Sequence, residues 1–228
     1  MALFNQDEFN QFIIDCDVIG FFDKPITLKS GRTSHWYVNF RNLTEDVYLT
    51  EKLADYVIAY AKDAGLKPDC FYGVPEGATK TAIITQLKWA SQQEDYGRGT
   101  HILPMGRGKP KEHGNPKDRL FLGMPEGKTI ILEDVTTTGG SLLNTLDVLL
   151  EAGVPVMAAI GLSNRMELRD DGKTVKQAVE EKKVSYHYLS NALELLPLAY
   201  RKYEPGKAVA REIEAELKKY GNHELDLG

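Results

Sequence analysis

Apolar positions along the chain switch between two periods. Phe9, Phe12, Ile13 and Cys16 recur at helical spacing, Asn5 followed by Glu8 is a cap signal, and Gly20 is expected to end that helix. Between Phe21 and Arg41 the period falls to two. Ile26 and Leu28 alternate with polar residues, Ser30-Gly31 punctuates, and Trp36, Val38 and Phe40 alternate again, which predicts a β-hairpin. Residues 49–64 return to the helical period through Leu53, Tyr56, Val57, Tyr60, Ala61 and Ala64, closed by Gly65. Short apolar runs then predict strands at 70–74, 101–105, 130–132, 154–164 and 184–190. Helices are expected from Gly77 through Leu87, over 141–153, near 173–182, and twice in the tail, where Pro197 should disturb the first. Strands alternating with helices predict an α/β fold: a mostly parallel sheet flanked by helices, with the hairpin as a small N-terminal hood over the strands' carboxyl ends. The division expected is a helix and hood over 1–48, a core over 49–190, and C-terminal helices packed on that core over 191–228.

Composition narrows the function classes. At 228 residues the chain is long enough for one sizeable α/β domain. A net charge of −5 argues against a nucleic-acid partner. No apolar run approaches membrane-spanning length and the N-terminus carries no secretory pattern, so no membrane partner and a cytoplasmic location are expected. Cys16 and Cys70 lie far apart in apolar contexts and read as reduced core thiols.

The most informative stretch is ILEDVTTTGGS, residues 131–141. An apolar strand leads into two adjacent carboxylates, Glu133 and Asp134, placed where the strand should end. Then come Thr137, Thr138, Gly139, Gly140 and Ser141, followed by an amphipathic helix. Unpaired N–H groups and the positive end of a helix dipole make such a turn an anion site. The glycines allow a phosphate to approach the backbone, and the hydroxyls add donors. No Gly-Lys-Ser/Thr follows and the glycine spacing is not that of a dinucleotide site. Two carboxylates beside a 5′-phosphate cradle suit the hydroxyls of a ribose. The plain alternative is a strand-turn-helix with a solvated acidic tip. A second stretch, GRGKPKEHGNPKDR at 106–119, is too rich in glycine, proline and charge for a regular element and predicts a mobile basic loop.

Residues 131–141 resemble the phosphoribosyl-pyrophosphate motif of type I phosphoribosyltransferases. KPKEHG at 109–114 resembles the catalytic loop of orotate phosphoribosyltransferases. ITLKSGRTSHWYVN at 26–39, FYGVPEGATKTA at 71–82 and SNR at 163–165 match that family's substrate segment, pyrophosphate loop and pyrimidine-holding strand end, in order. The resemblance implies displacement of pyrophosphate from phosphoribosyl pyrophosphate by orotate. It places Glu133 and Asp134 at the ribose, residues 137–141 at the 5′-phosphate, and Arg107, Lys111 and His113 at the leaving group. Lys29 and Arg165 would take the orotate carboxylate and ring, with Tyr37 or Trp36 against the ring's face. It implies Mg²⁺ held mainly by the substrate, near Asp134, and a homodimer with shared active sites. Each residue also has an ordinary reading: Lys29 as a surface lysine, Arg165 in a salt bridge to Glu167 or Asp170.

The chain departs from the family's pattern at three places. Glu76 lies where bacterial relatives often carry lysine, Gly108 follows the loop arginine where many have a basic residue, and His35 replaces a usual proline. Lys80 or Lys109 would be the compensating cation. The rival readings are a phosphoribosyltransferase for another base, which need not pair Lys29 with Arg165, and a non-catalytic regulator sensing phosphoribosyl pyrophosphate.

Overall fold

The computed structural model describes residues 3–109, 111–113 and 119–228. Helix α1 (Gln6–Asp15) is capped by the Asn5 side chain, which accepts from the Asp7 and Glu8 N–H groups at 3.0 and 3.1 Å. The helix ends before Gly20. Asp17 takes the left-handed turn at φ 52°, and Gly20 already lies in strand β1 (Ile19–Thr27), opposite Tyr37 of β2 (Thr33–Val38). These two strands form the expected antiparallel hairpin, turned at Gly31 with φ 83°. The short helix α2 (Phe40–Leu43) and α3 (Val47–Asp63, capped by Asp46) follow.

The main sheet contains β3 (Cys70–Gly73), β6 (Thr129–Thr136), β7 (Val156–Asn164) and β8 (Ser185–Asn191), in the order β3-β6-β7-β8, every pair parallel. Alternation along β6 feeds two apolar layers. Ile130 and Leu132 join α1, α3 (Leu53, Val57) and helix α4 (Thr79–Ala90) on one face. Ile131 joins α5 (Gly140–Glu151) and α6 (Val175–Glu180) on the other. All three residues are fully buried, as strands covered on both faces require. Helix α4 begins at Thr79, two residues beyond the expected Gly77.

The strand expected over 101–105 does not form. Pro104 offers no N–H to a ladder and Leu103 is 52% exposed. Only Met105–Gly106 is extended, as β4, and it pairs antiparallel with β5 (Phe121–Leu122) outside the main sheet. The expectation of a mobile stretch over 106–119 falls partly on residues 110 and 114–118, which lie outside the described residues.

In the tail, α7 (Ala192–Tyr203) runs through Pro197 without a break. One missing N–H costs a single helical bond, and the buried Leu195, Leu196 and Ala199 hold the helix in place. Helix α8 (Lys207–Gly221) packs on β1 and β2 of the hairpin. Its Val209, Ile213 and Leu217 share one apolar cluster with Trp36 and Val38. Cys16 and Cys70 are free thiols, and burial pushes Cys70 up to about 12, which keeps it an inert core residue. No helix among the described residues is long and apolar enough to cross a membrane.

Candidate active site

The carboxyl end of β6 and the N-terminus of α5 bound a cleft of ≈ 400 Å³. Into it the fold brings the 137–141 turn, Glu133 and Asp134 from β6, Lys29 and Tyr37 from the hairpin, and Arg165 from the end of β7. Gly139 sits at the cap position of α5 with φ 70°, and no side chain caps the helix. Its first N–H groups therefore remain available to an anion at the positive end of the helix dipole. Gly139 is required twice over. Its φ is left-handed, and a Cβ there would lie 2.9 Å from Val175 Cγ1. The Thr138 carbonyl accepts from Arg169 Nη1 at 2.7 Å, which pins the turn from behind.

The two carboxylates lie inside β6, not after its end. The strand keeps pairing with β7 through Glu133–Gly161, Val135–Ser163 and Thr136–Asn164, so successive side chains diverge. Glu133 is 7% exposed, and burial first, then the neighbouring Asp134 charge, hold its pKa well above the carboxylate range, with Lys29 opposing. Asp134 is also raised by burial, but the Val135 N–H at 2.9 Å and the Arg41 guanidinium pull it back. The pair thus differs in surroundings: Asp134 has the stronger opposing partners and Glu133 the deeper burial. Gly77 lies flat against Asp134, and a Cβ there would overlap the carboxylate. The 71–82 segment and the Glu133–Asp134 pair therefore meet at one contact.

Lys29 reaches across the cleft, donating from Nζ to Ser141 Oγ at 2.8 Å. Arg165, 2% exposed, donates from Nε to Glu167 at 2.7 Å, from Nη2 to Ser34 Oγ at 2.8 Å and from Nη1 to the Trp36 carbonyl at 3.3 Å. Its guanidinium also stacks over Trp36, 3.7 Å from the ring centre. Arg165 pairs with Glu167, its ordinary reading, and it also borders the cleft. Asp170 pairs with Arg32 instead. Between the two candidate aromatics, Tyr37 lines the cleft while Trp36 is buried against Arg165.

Arg107, Lys111 and His113 do not line the cleft of their own chain. Arg107 and Lys111 extend the β4–β5 pairing, their N–H groups donating to Leu120 and Arg119 carbonyls at 3.0 and 2.8 Å, and Lys111 and His113 are exposed. The two charge-removing departures are neighbours in space: a Cβ on Gly108 would lie 2.9 Å from Glu76 Oε1. Lys80 does not compensate there, since its Nζ donates to the Thr44 carbonyl at 3.1 Å.

Sequence reading missed Arg41 and Asn144, which also line the cleft. Asn144 was within reach, being one helical turn beyond Ser141. Arg41 follows the matched hairpin segment directly, but only the fold shows its charge acting on Asp134.

No family profile matches the chain. Individual relatives do. An orotate phosphoribosyltransferase of Clostridium botulinum (strain Eklund 17B / Type B) is 30% identical over 232 residues, covering 94% of this chain and 96% of the relative. One from Lachnoclostridium phytofermentans is 31% identical over 228 residues, covering 94% and 96%. Among solved structures, the orotate phosphoribosyltransferase of Francisella tularensis superposes with a TM-score of 0.66 at 18% identity, covering 94% of this chain and 99% of that one, a likeness of fold. The cleft unites the 137–141 turn, the carboxylate pair, Lys29 and Arg165, and with relatives at 30% and 31% identity covered over nearly their full length, the chain belongs to the orotate phosphoribosyltransferase family.

Proposed function

We propose that the protein transfers phosphoribose from 5-phosphoribosyl 1-pyrophosphate to orotate, giving orotidine 5′-monophosphate and pyrophosphate in pyrimidine nucleotide synthesis. The observation that carries this reading is the cleft itself: one ≈ 400 Å³ volume holds an uncapped helix N-terminus, two adjacent carboxylates and the cations Lys29 and Arg165. The turn 137–141 takes the 5′-phosphate through backbone N–H groups and hydroxyls. Asp134 accepts from the ribose hydroxyls and faces the positive charge that C1 develops as its bond to pyrophosphate lengthens. Glu133, whose pKa burial raises, lies beside it on the same strand. Orotate is an anion at neutral pH and needs no strong general base. Lys29 and Arg165 match its carboxylate and ring, and Tyr37 packs on its face.

Among the described residues no group of three or more His, Cys, Asp or Glu side chains is placed to hold a metal on its own. The oxygen donors of Asp134 and Glu133 suit a hard cation that arrives with substrate oxygens as most of its ligands, as Mg²⁺ does. When bound, Mg²⁺ neutralises charge on the departing pyrophosphate. Arg107, Lys111 and His113 stabilise the same charge from a neighbouring subunit in a homodimer, a reading supported by the exposure of Lys111 and His113. The test is an absorbance assay of orotate consumption run beside adenine, hypoxanthine and uracil. Turnover with orotate alone is expected; preference for another base would replace the substrate while keeping the reaction class.

A further inference from the structure

The hairpin, the end of β7 and the C-terminal helix meet around one half-buried carboxylate, Glu216 of α8. Glu216 Oε1 accepts from the His35 N–H at 2.8 Å and lies 2.7 Å from His35 Nδ1, which must carry its proton toward a carboxylate. Glu216 Oε2 lies 2.9 Å from Ser34 Oγ. Ser34 is fully buried and its oxygen also accepts from Arg165 Nη2 at 2.8 Å. A hydroxyl has one proton, and here two acceptors compete for it: Glu216 and the Trp36 carbonyl, each at 2.9 Å. The charged acceptor wins, since charge-assisted bonds are the stronger. That orients the Ser34 lone pairs toward Arg165 and leaves the Trp36 carbonyl to Arg165 Nη1. A proline at position 35 has no N–H and could not make the backbone bond, so the departure at His35 acquires a role. The same helix grips the segment after Arg165: the Leu168 N–H donates to the Tyr220 carbonyl at 2.8 Å, and Gly221 lies so close that a Cβ would come 2.5 Å from the Met166 carbonyl oxygen.

We propose that Glu216 is a positioning residue for base recognition, acting through Ser34 and β2 to fix Arg165 at the cleft. The inference rests on Arg165 receiving orotate, as set out under Proposed function. Three of the five guanidinium N–H groups are committed to Glu167, Ser34 and Trp36, so the direction of the remaining two depends on those anchors.

The experiment compares Glu216→Ala, Glu216→Gln, Ser34→Ala, Arg165→Ala and the Arg165→Ala/Glu216→Ala pair, measuring KM for each substrate and melting temperature. Glu216→Ala should raise KM for orotate about tenfold, the size of one weakened charge-assisted bond, and leave KM for phosphoribosyl pyrophosphate within about twofold. Glu216→Gln, which keeps a carbonyl acceptor, should recover most of the loss. In the Arg165→Ala background, Glu216→Ala should add nothing. A helix that merely braces the fold would lower the melting temperature and move both KM values together, or add its effect on top of Arg165→Ala; either result overturns the proposal. Should Glu216→Ala fail to fold, Ser34→Ala removes the relay from the hairpin side and carries the same expectation. If Arg165→Ala raises KM for orotate while the Glu216 and Ser34 variants do not, the positioning role alone falls. If Arg165→Ala leaves it unchanged, the reading of Arg165 and the proposal fall together.

Discussion

At the scale of single residues, the cleft trades stability for chemistry. Glu133 is buried beside Asp134, and its pKa is raised well above the carboxylate range. A raised carboxyl pKa means the folded state binds the proton more tightly than the unfolded chain does. Below the unfolded pKa both states are protonated and stability is full. As pH rises toward the folded value, the unfolded chain ionises first and stability is lost. Glu133→Gln is neutral at every pH, so it should melt higher than wild type, with the gap widening from the acid range toward neutrality while activity falls. A gap that does not change with pH would show Glu133 titrating normally. Asp134 is the carboxylate proposed to face the ribose, and Asp134→Asn should lose about 10²-fold in turnover with the fold intact, the cost of one electrostatic stabiliser. Near-normal turnover in a folded variant would remove it from the ribose site. The sequence made both carboxylates visible as neighbours after an apolar run, but not their inequality. That comes from Arg41 and the Val135 N–H on one of them and from deeper burial of the other.

At the scale of elements, what could be read in advance was what local chemistry specifies. The Asn5 cap, the hairpin period, the apolar run at Ile130–Leu132 and the glycines of the phosphate turn each determine their element within a few residues. The misses arose where tertiary partners decide. Strand β6 continues through Glu133 and Asp134 because β7 keeps offering backbone partners, which no property of the two acids announces. HILPM has a strand's composition but a proline where a ladder needs a donor. The chain turns just beyond α1 at Asp17, in a conformation that usually favours glycine, so Gly20 does not mark the helix end. The turn at Gly139 allows a quantitative check on the element proposed to hold the phosphate. Gly139→Ala combines a left-handed φ of 70° with a contact of 2.9 Å to Val175 Cγ1. It should destabilise by about 1–2 kcal/mol and weaken phosphoribosyl pyrophosphate binding. Adding Val175→Ala should relieve the packing part of the loss and leave the backbone part. Full recovery in the double variant would mean the conformation at Gly139 carries no cost.

At the scale of the whole molecule, the cleft gathers the 137–141 turn, Glu133, Asp134, Lys29 and Arg165, whereas Lys111 and His113 are exposed and, among the described residues, do not line it. The β4–β5 pair joins the two ends of the stretch that carries them, and exposed apolar residues lie beside the pair: Leu103 at 52%, Leu122 at 39% and Met124 at 41%. Exposed apolar side chains grouped beside a charged arm suit a two-fold contact in which each arm serves the other cleft. The consequence is a complementation that a self-contained site cannot produce. Lys111→Ala lacks arm function and Asp134→Asn lacks ribose binding, so each pure dimer is defective at both sites. Unfolded and refolded together in equal amounts, random pairing makes about half the dimers hybrid. In a hybrid, the subunit that keeps Asp134 receives an arm that keeps Lys111, so one site of the two is whole and the other carries both defects. Activity should therefore recover to about a quarter of wild type, and it should rise and saturate as the subunits exchange. If the arm folds back over its own cleft, every site in every dimer carries one defect and mixing restores nothing. Subunit exchange followed independently, by mass or by a tag on one variant, separates that outcome from a failure to form hybrids. A flat activity in proven hybrids would place Lys111 on its own subunit's cleft and leave the reaction unchanged.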